Sequence, residues 1–300
     1  MFNFLASLIF ASLLIPSGFN FLIAKPADNS YAFAAASKVL PQRVANNSFG
    51  LQTTAKSILV IDNATGTVLY SKSPDLILPI ASITKLMNAL VVLDAKPDWN
   101  KKVMITKDDQ REGGLVNLLP GEEVTVKDLF YLMLVSSTNE AAVALAKSIG
   151  LPDFAAAMNH KAKELGMADT YFIDPSGVEP GNVSSPADLA KLAQAAFARP
   201  EIAQAVTSEE HPFLVLNNQR QSRAVNTDRL LGSFLNQGEY QILGAKTGYL
   251  NEAGYCLLLQ LKKNNGPDLT LVILGAASIT DRWQEAKGLV DWVFRNYVWP

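Results

Sequence analysis

Apolar and polar positions alternate in short blocks where the folded part of the chain begins. Two apolar runs, residues 57–61 and 67–70, flank the turn-forming residues 62–66, and this pattern predicts a β-hairpin. After Pro79 the apolar residues recur at the spacing of one helical face, namely Ile83, Leu86, Met87, Leu90 and Val91. A helix is therefore expected to begin at about Ser82.

The middle of the sequence has the pattern of a helical block. Thr125 and Asp128 have the spacing of a capping box, with Asp in place of Glu, and predict a helix through about Val135. Ala-rich residues 140–149 and residues 153–165 predict two further helices. Ser185 followed by Pro186 is typical of a helix start, and this helix is expected to reach about Arg199.

Strand patterns return in the last third of the chain. Residues 213–216, 241–247, 254–261 and 269–274 are predicted strands, residues 264–267 a hairpin turn, and residues 281–297 a closing helix. Strands at both ends with helices between them predict an α+β fold, in which an antiparallel sheet flanked by helices carries an inserted all-helical lobe. The cleft between sheet and lobe is the expected position of a functional site.

The first residues have the composition of a leader. Residues 1–24 carry no charged side chain and are strongly apolar, and residues 32–34 offer a small-x-small cleavage site. We expect residues 1–34 to be a signal peptide, with an uncleaved membrane anchor as the alternative, because 24 uncharged residues are also long enough to span a bilayer. Residues 35–54 are expected to be a mobile lead-in, and residues 55–300 one two-lobed folded domain.

Charge and residue counts narrow the possible chemistry. Lys and Arg total 26 against 28 Asp and Glu, so there is no excess positive charge to neutralise a nucleic-acid backbone, and no nucleic-acid partner is expected. The chain has two histidines and one cysteine, which excludes an internal disulfide and argues against a zinc site. No metal and no cofactor are expected.

Three short motifs could carry catalysis without histidine. They are Ser-Ile-Thr-Lys at residues 82–85, Ser-Thr-Asn at 137–139 and Lys-Thr-Gly at 246–248. A serine hydroxyl needs an adjacent base to become a nucleophile, and Lys85 lies one helical turn after Ser82. A lysine can act as that base only when its amine is neutral, and a second nearby cation would lower its pKa. Lys246 is the predicted second cation.

The three motifs, in this order, resemble those of the penicillin-binding protein and serine β-lactamase superfamily. Residues 80–87, 174–178, 246–249 and 253–255 resemble the low-molecular-mass D-alanyl-D-alanine carboxypeptidases and endopeptidases, and the resemblance extends over about residues 55–298. It implies peptidoglycan stem peptides as substrates, β-lactam antibiotics as covalent inhibitors, and a location in the periplasm or at the outer face of the cytoplasmic membrane.

The resemblance also implies a role for each motif residue in acyl transfer. Ser82 would attack the peptide carbonyl, Lys85 would accept its proton, and Ser137 would help to pass a proton to the departing amine. The amides of Ser82 and Tyr249 would stabilise the oxyanion. The remaining predicted substrate contacts are Asn139, Lys246, Thr247 and Gly248, with Arg282 as a further anchor.

Alternatives remain within the superfamily. A class A β-lactamase would carry a Glu-x-x-Leu-Asn element between Asn139 and Lys246, and the sequence there has none, so slow release of penicillin is expected. A β-lactam or muropeptide sensor without turnover stays open. The chain ends directly after the closing helix, whereas many membrane-attached carboxypeptidases continue into a β-rich domain, and residues 91–95 resemble the endopeptidase branch. We therefore favour an endopeptidase over a carboxypeptidase.

The aromatic residues near the end of the chain allow a second interpretation. Trp292, Tyr297 and Trp299 could contact a membrane surface, which would give peripheral membrane association. Packing of the closing helix on the sheet is the interpretation we favour.

Overall fold

The computed structural model describes residues 39–46, 48 and 50–300. Its strands are β1 (Gln42–Arg43), β2 (Ser57–Asp62), β3 (Val68–Lys72), β4 (Leu78–Pro79), β5 (Lys102–Met104), β6 (Glu123–Thr125), β7 (Val183–Ser184), β8 (Glu210–Leu214), β9 (Gln221–Val225), β10 (Tyr240–Leu250), β11 (Gly254–Lys263), β12 (Asp268–Ala276) and β13 (Tyr297–Val298). Its α-helices are α1 (Thr84–Asp94), α2 (Val126–Val135), α3 (Asn139–Ile149), α4 (Phe154–Glu164), α5 (Pro186–Phe197), α6 (Pro200–Thr207) and α7 (Ile279–Asn296).

One five-stranded sheet joins the two ends of the folded chain. Its strand order is β10-β11-β12-β2-β3, and every neighbouring pair is antiparallel. The predicted hairpin forms β2 and β3, and the predicted turn at residues 264–267 joins β11 to β12. The sheet is therefore built from both ends of the chain, as the sequence predicts, and the fold is α+β.

Apolar cores lie on both faces of this sheet. Alternate residues of a strand point to opposite faces, so Leu258 and Val272 pack toward the helical lobe while Leu257 and Ile273 pack toward α7. Helix α5 contacts β2, β11 and β12 from the lobe side, and α7 covers β3, β11 and β12 from the other side. The site lies where the lobe meets the β10 edge of the sheet.

Local capping signals set the starts of the helices correctly. The Thr125 and Asp128 side chains form the predicted capping box of α2, and the Ser185 hydroxyl accepts from the Asp188 amide at the start of α5. The closing helix α7 begins two residues before its predicted start, because Ser278 caps it by accepting from the Asp281 amide.

The region between α5 and β10 differs from prediction. Helix α6 and strand β9 were not predicted, and β8 begins at Glu210 instead of residue 213. Strands β8 and β9 form a separate two-stranded hairpin that buries only Phe213 and Ala224 among its ten residues. A strand with so little buried apolar surface has no clear alternating pattern, so the sequence does not reveal it.

The predicted mobile lead-in is attached to the folded domain where it is described. Strand β1 pairs with β13, Asn46 donates to Asn296, and the Thr54 hydroxyl donates to Glu285 of α7 at 2.7 Å. These contacts differ from the mobility that composition suggests, because polar residues here bond to both the first half and the end of α7. The predicted leader, residues 1–34, lies outside the described residues, as do residues 35–38.

Within the described part of the chain, no single helix is long and apolar enough to cross a bilayer. Helices α3 and α4 have the length and apolar composition of a membrane-spanning segment only when they are taken together, and the chain bends by 90° between them.

Candidate active site

Ser82 lies in the tight turn that leads into α1. A short 3-10 helix, Ala81–Ile83, precedes α1 directly, and Ala81 has a φ of +48°, a conformation that a non-glycine residue rarely adopts. Ser82 is half-buried at the cleft, whereas its neighbours Ala81 and Ile83 are fully buried. The turn therefore directs the Ser82 side chain into the cleft, while the buried residues on either side of it pack in the core.

Lys85 is fully buried beneath Ser82 and makes three polar contacts. Its Nζ lies 2.9 Å from Ser82 Oγ and 2.8 Å from Asn139 Oδ1, and it donates to the carbonyl oxygen of Ser176. A neutral amine has two N–H donors and one lone pair. It can therefore donate to Asn139 and Ser176 while its lone pair accepts the Ser82 hydroxyl proton.

The pKa of Lys85 is lowered to about 7, and burial is the main cause. Asp174 and Glu140 act in the opposite direction and raise it. Removal of the amine from water is therefore the main cause of the lowering at Lys85. The like-charge repulsion between Lys85 and Lys246 that the sequence predicts acts on Lys246, where burial, Lys85 and Arg282 lower the pKa well below its ordinary value.

Ser137 occupies a strained position between α2 and α3. Its φ is +60°, and its Oγ lies 2.8 Å from Lys246 Nζ. Left-handed backbone costs a non-glycine residue about 1 kcal/mol, and such strain concentrates at functional sites. The conformation turns the Ser137 hydroxyl toward the Lys-Thr-Gly strand instead of toward the helix start.

Asn139, the first residue of α3, connects the lobe to the nucleophile. Its Oδ1 receives the Lys85 bond, and its Nδ2 donates to the carbonyl oxygen of Gly113 at 2.9 Å. An amide nitrogen carries two hydrogens, so these contacts leave one N–H of Asn139 for a substrate.

The Lys-Thr-Gly motif lies within β10, and its glycine allows a close approach. A Cβ at Gly248 would lie 2.7 Å from the Ile80 carbonyl oxygen and 3.3 Å from the Ser82 amide nitrogen. Only glycine therefore lets β10 lie against the turn that holds Ser82. This packing brings the Tyr249 amide, the predicted second oxyanion donor, to the same end of the cleft.

Thr247 and Tyr249 frame the cleft on either side of that glycine. The Thr247 hydroxyl donates to the Thr227 hydroxyl at 2.9 Å, which ties β10 to the loop after β9. The Tyr249 ring is half-exposed and lies 4.4 Å, centroid to centroid, from the Tyr255 ring.

Arg282 is placed in the cleft wall and is largely buried. Its Nη1 donates to the carbonyl oxygens of Gly248 and Cys256 at 3.2 and 3.3 Å, and burial lowers its pKa to about 10. Its Nε has no hydrogen-bond partner within the structure. The side chain thus braces β10 and β11, and its predicted role as a substrate anchor stays a prediction.

Sequence reasoning missed two groups at the site. The Ser176 carbonyl, which accepts from Lys85, is held in place because Asp174 Oδ1 accepts the Ser176 and Gly177 amides. The Asp-Pro-Ser-Gly string at residues 174–177 contributes to the family resemblance, and nothing in it indicates that a backbone carbonyl is the functional group. Asp228 is buried near Lys246 and Arg282, which lower its pKa, but burial outweighs them and raises it to about 6.

Together these groups line one cleft of about 500 Å³ between the lobe and β10. Among the described residues that line it are Ser82, Ser137, Asn139, Thr247, Gly248, Tyr249 and Arg282. The structure brings together every residue that the sequence places in the site, with Lys85 and Lys246 directly behind the lining.

Comparison with known proteins gives a consistent result. The peptidase family S11, described as D-alanyl-D-alanine carboxypeptidase, matches residues 42–278. A D-alanyl-D-alanine endopeptidase of Escherichia coli is 36% identical over 90% of this chain and 89% of its own, and one of Pseudomonas aeruginosa is 35% identical over 88% and 85%.

Solved structures match at the level of the fold and of the sequence. The Streptomyces K15 DD-transpeptidase superposes with a TM-score of 0.75, at 28% identity, over 83% of this chain and 100% of its own. Penicillin-binding protein D2 of Listeria monocytogenes, in its cefotaxime-bound form, superposes with a TM-score of 0.72 at 28% identity, over 82% and 100%.

Proposed function

Because the chain belongs to the D-alanyl-D-alanine carboxypeptidase family of serine peptidases, we propose that it cleaves peptidoglycan stem peptides through an acyl-enzyme at Ser82. The observation that carries this assignment is the buried Lys85 amine, 2.9 Å from Ser82 Oγ, with a pKa of about 7. Near neutral pH a large share of that amine is unprotonated, so it can act as a general base.

The acylation step follows from these contacts. Ser82 Oγ bonds to the carbonyl carbon of the D-alanyl residue while its proton passes to Lys85 Nζ. The oxyanion receives the amides of Ser82 and Tyr249, and the free N–H of Asn139 holds the substrate's amide carbonyl. When the C–N bond breaks, the proton held by Lys85 passes through Ser137 Oγ to the departing amine, and the contact with Lys246 Nζ orients Ser137. Water then hydrolyses the ester and restores Ser82.

Lys246 and Thr247 are proposed to attract a carboxylate of the substrate. The whole chain carries a net charge of −2, so its overall field does not attract an anion, and the attraction must be local. Arg282, which lines the cleft and has a pKa of about 10, carries a positive charge there at neutral pH, whereas Lys246 lies buried behind Thr247 with a pKa well below its ordinary value.

We further propose that the preferred substrate is the cross-link between two stem peptides. Two proteins named D-alanyl-D-alanine endopeptidase match this chain over 85% or more of both lengths at 35% and 36% identity, whereas proteins named D-alanyl-D-alanine carboxypeptidase match at 28–35% identity over 62–85% of their lengths. This supports an endopeptidase, and the chemistry at Ser82 is the same for either substrate.

Incubation with a cross-linked muropeptide dimer and with a pentapeptide monomer tests this preference. We expect the dimer to be converted to monomers with a kcat/KM at least about tenfold above that for release of the terminal D-alanine. Ser82→Ala should cleave neither substrate. Faster hydrolysis of the pentapeptide would show a carboxypeptidase instead.

β-Lactamase activity is the less favoured function. The two carboxylates that act on Lys85 are Asp174, which accepts the amides of Ser176 and Gly177, and Glu140, which accepts those of Asn117 and Leu118. Neither lines the cleft, so neither is placed to activate a deacylating water. We therefore propose that penicillin stays bound as a stable ester. Rapid hydrolysis of a chromogenic cephalosporin would contradict this, and acylation without any muropeptide turnover would favour a sensor.

We propose that the protein works outside the cytoplasm, at the outer face of the cytoplasmic membrane or in the periplasm. The uncharged, apolar residues 1–24 support export, and peptidoglycan lies on that side of the membrane. Fractionation of cells expressing the full chain, with N-terminal sequencing of the product, distinguishes a cleaved leader from a retained anchor.

A further inference from the structure

One rim of the cleft is formed by an irregular segment, residues 110–119, here called the wall segment. Residues 112–115 line the cleft, and the segment contains no helix or strand. The side chains of Leu115 and Val116 are 66% and 56% exposed, so apolar packing does not hold the middle of the segment in place. Polar contacts must therefore fix its position.

Two of these contacts are made by Glu140, which follows Asn139 in the first turn of α3. Its side chain is 2% exposed, and one carboxylate oxygen accepts the backbone amides of Asn117 and Leu118 at 2.7 and 3.0 Å. Charge-assisted bonds of this kind are stronger than neutral ones, and a negative charge in the first turn of a helix is favourable. Glu140 thereby fixes one end of the wall segment to α3.

The other part of the wall segment acts on Asn139. Gly113 and Gly114 have φ values of +81° and +75°, and this backbone turns the Gly113 carbonyl oxygen to the Asn139 amide. A Cβ at Gly114 would lie 3.3 Å from Asn139 Nδ2. The Gly113 contact orients the amide so that Oδ1 faces Lys85 and one N–H faces the cleft.

We propose that Glu140 is a positioning residue for acylation: by fixing the wall segment to α3, it holds the Gly113 carbonyl against Asn139 and so orients the Asn139 amide toward both Lys85 and the substrate. This inference rests on the proposed acylation of Ser82. Glu140 itself touches neither Ser82 nor the substrate, and it acts through the backbone of residues 113–118.

The charge of Glu140 also reaches the general base. The charged groups that face Lys85 are Glu140 from α3, Asp174 from the loop before β7 and Lys246 from β10. Glu140 stabilises the ammonium form of Lys85 and so raises its pKa. Loss of this charge lowers that pKa, and Lys85 then becomes neutral, and able to accept a proton, at a lower pH.

The test measures the second-order rate constant for labelling by a fluorescent penicillin at pH 6.0 and pH 8.5, per folded molecule. The variants are Glu140→Gln, which keeps an oxygen acceptor without the charge, and Glu140→Ala, which removes both. Glu122→Gln is the matched control, because Glu122 is also buried and accepts the Leu119 amide at the end of the same segment. Ser82→Ala is the labelling blank.

For Glu140→Gln we expect a rate within about threefold of wild type at pH 8.5, and a ratio to wild type that is higher at pH 6.0 than at pH 8.5. The labelling rate constant of Glu140→Ala should be at least about tenfold below that of wild type at pH 8.5, because the Asn139 amide is no longer oriented. The labelling rate of Glu122→Gln relative to wild type should be the same at both pH values.

A wild-type rate for Glu140→Ala would overturn the positioning role, and a Glu140→Gln ratio that is the same at both pH values would overturn the effect of the charge on Lys85. If Glu140→Ala does not fold, Glu140→Asp decides, because it keeps the charge but its shorter side chain withdraws the acceptor from the amides of Asn117 and Leu118; it should lose acylation at pH 8.5. Absence of labelling in the wild type, or equal labelling of Ser82→Ala, would instead overturn the proposed function.

Discussion

At the scale of single residues, Lys85 shows how burial creates reactivity. An exposed lysine is almost fully protonated at neutral pH and cannot accept a proton, whereas the buried Lys85 amine has a pKa of about 7. The cost of this arrangement is a loss of stability, because below that pH a charge is buried. Activity and stability are therefore coupled at this position.

Replacement of Lys85 by Met should show both effects. Acylation by penicillin should fall about 10²- to 10⁴-fold, the usual contribution of a general base. The folded-state pKa of Lys85 lies below its unfolded value of 10.5, so wild-type stability rises as pH increases from about 7 toward 10. The Tm of the variant minus the Tm of wild type should therefore be larger at pH 6 than at pH 9. An equal difference at both pH values would contradict the buried, titrating amine.

Asp228 gives a second prediction of the opposite sign. Its folded-state pKa of about 6 lies above the ordinary value of 3.8, so wild-type stability falls as pH rises between these values and stays lower above them, by about 3 kcal/mol. Asp228→Asn removes this titration. Chemical denaturation should show the variant gaining free energy of unfolding relative to wild type between pH 4 and pH 7.5. The converse trend would show that Lys246 and Arg282 outweigh burial.

At the scale of secondary-structure elements, the contact between β10 and the turn before α1 determines whether the site forms. It joins a strand from the end of the chain to a turn from its beginning, and Gly248 lies at the point of closest approach. The amides of Ser82 and Tyr249 can form one oxyanion site only while this contact is intact.

Gly248→Ala should therefore reduce penicillin acylation by about 10²- to 10³-fold, the usual effect of losing an oxyanion donor. Gly232→Ala is the matched control, because a Cβ at Gly232 would meet no atom within 4 Å and its φ is not in the left-handed region. It should acylate at the wild-type rate. If Gly248→Ala also did so, the close approach would not matter for catalysis.

At the scale of the whole molecule, the segment before β2 packs along α7. Thr54 bonds to Glu285, three residues after Arg282, whereas Asn46 and Ser48 bond to Asn296 and Trp292 and β1 pairs with β13 at the far end of the helix. Asn296 is fourteen residues from Arg282 along α7, about 20 Å at the helical rise. The contacts of Asn46, Ser48 and β1 are therefore distant from the cleft.

A chain that begins at Gly50 should consequently fold less stably but react normally. Loss of the Asn46 contact leaves the buried Asn296 side-chain oxygen without this partner, which costs about 1–3 kcal/mol and a few degrees in Tm. Penicillin acylation at 25 °C should match that of the chain that keeps residues 39–49. A large loss of acylation at unchanged Tm would show that the segment acts on the cleft.

Much of the molecule follows from local signals in the sequence. The capping residues Thr125 and Ser185 mark helix starts correctly, and the apolar runs of β2, β11 and β12 identify the central strands. The order and spacing of the three motifs are sufficient to indicate a serine acyl-transfer enzyme, because hydroxyl, amine and amide groups are specified by residue type alone. Strand β9 and the first half of β8 were missed, because little of this hairpin is buried and its sequence has no alternating apolar pattern.

The tertiary structure decides the chemistry of those same residues. Whether Lys85 can act as a base depends on the depth of its burial, and the sequence-based expectation assigned that effect to Lys246 instead. The Ser176 carbonyl, the Gly113 carbonyl and the Glu140 carboxylate that holds the wall segment come from segments far apart in the chain. A sequence fixes which side chains are available, but a pKa and a hydrogen-bond geometry depend on solvent exclusion and on distances of a few ångströms. These arise only when distant segments pack together.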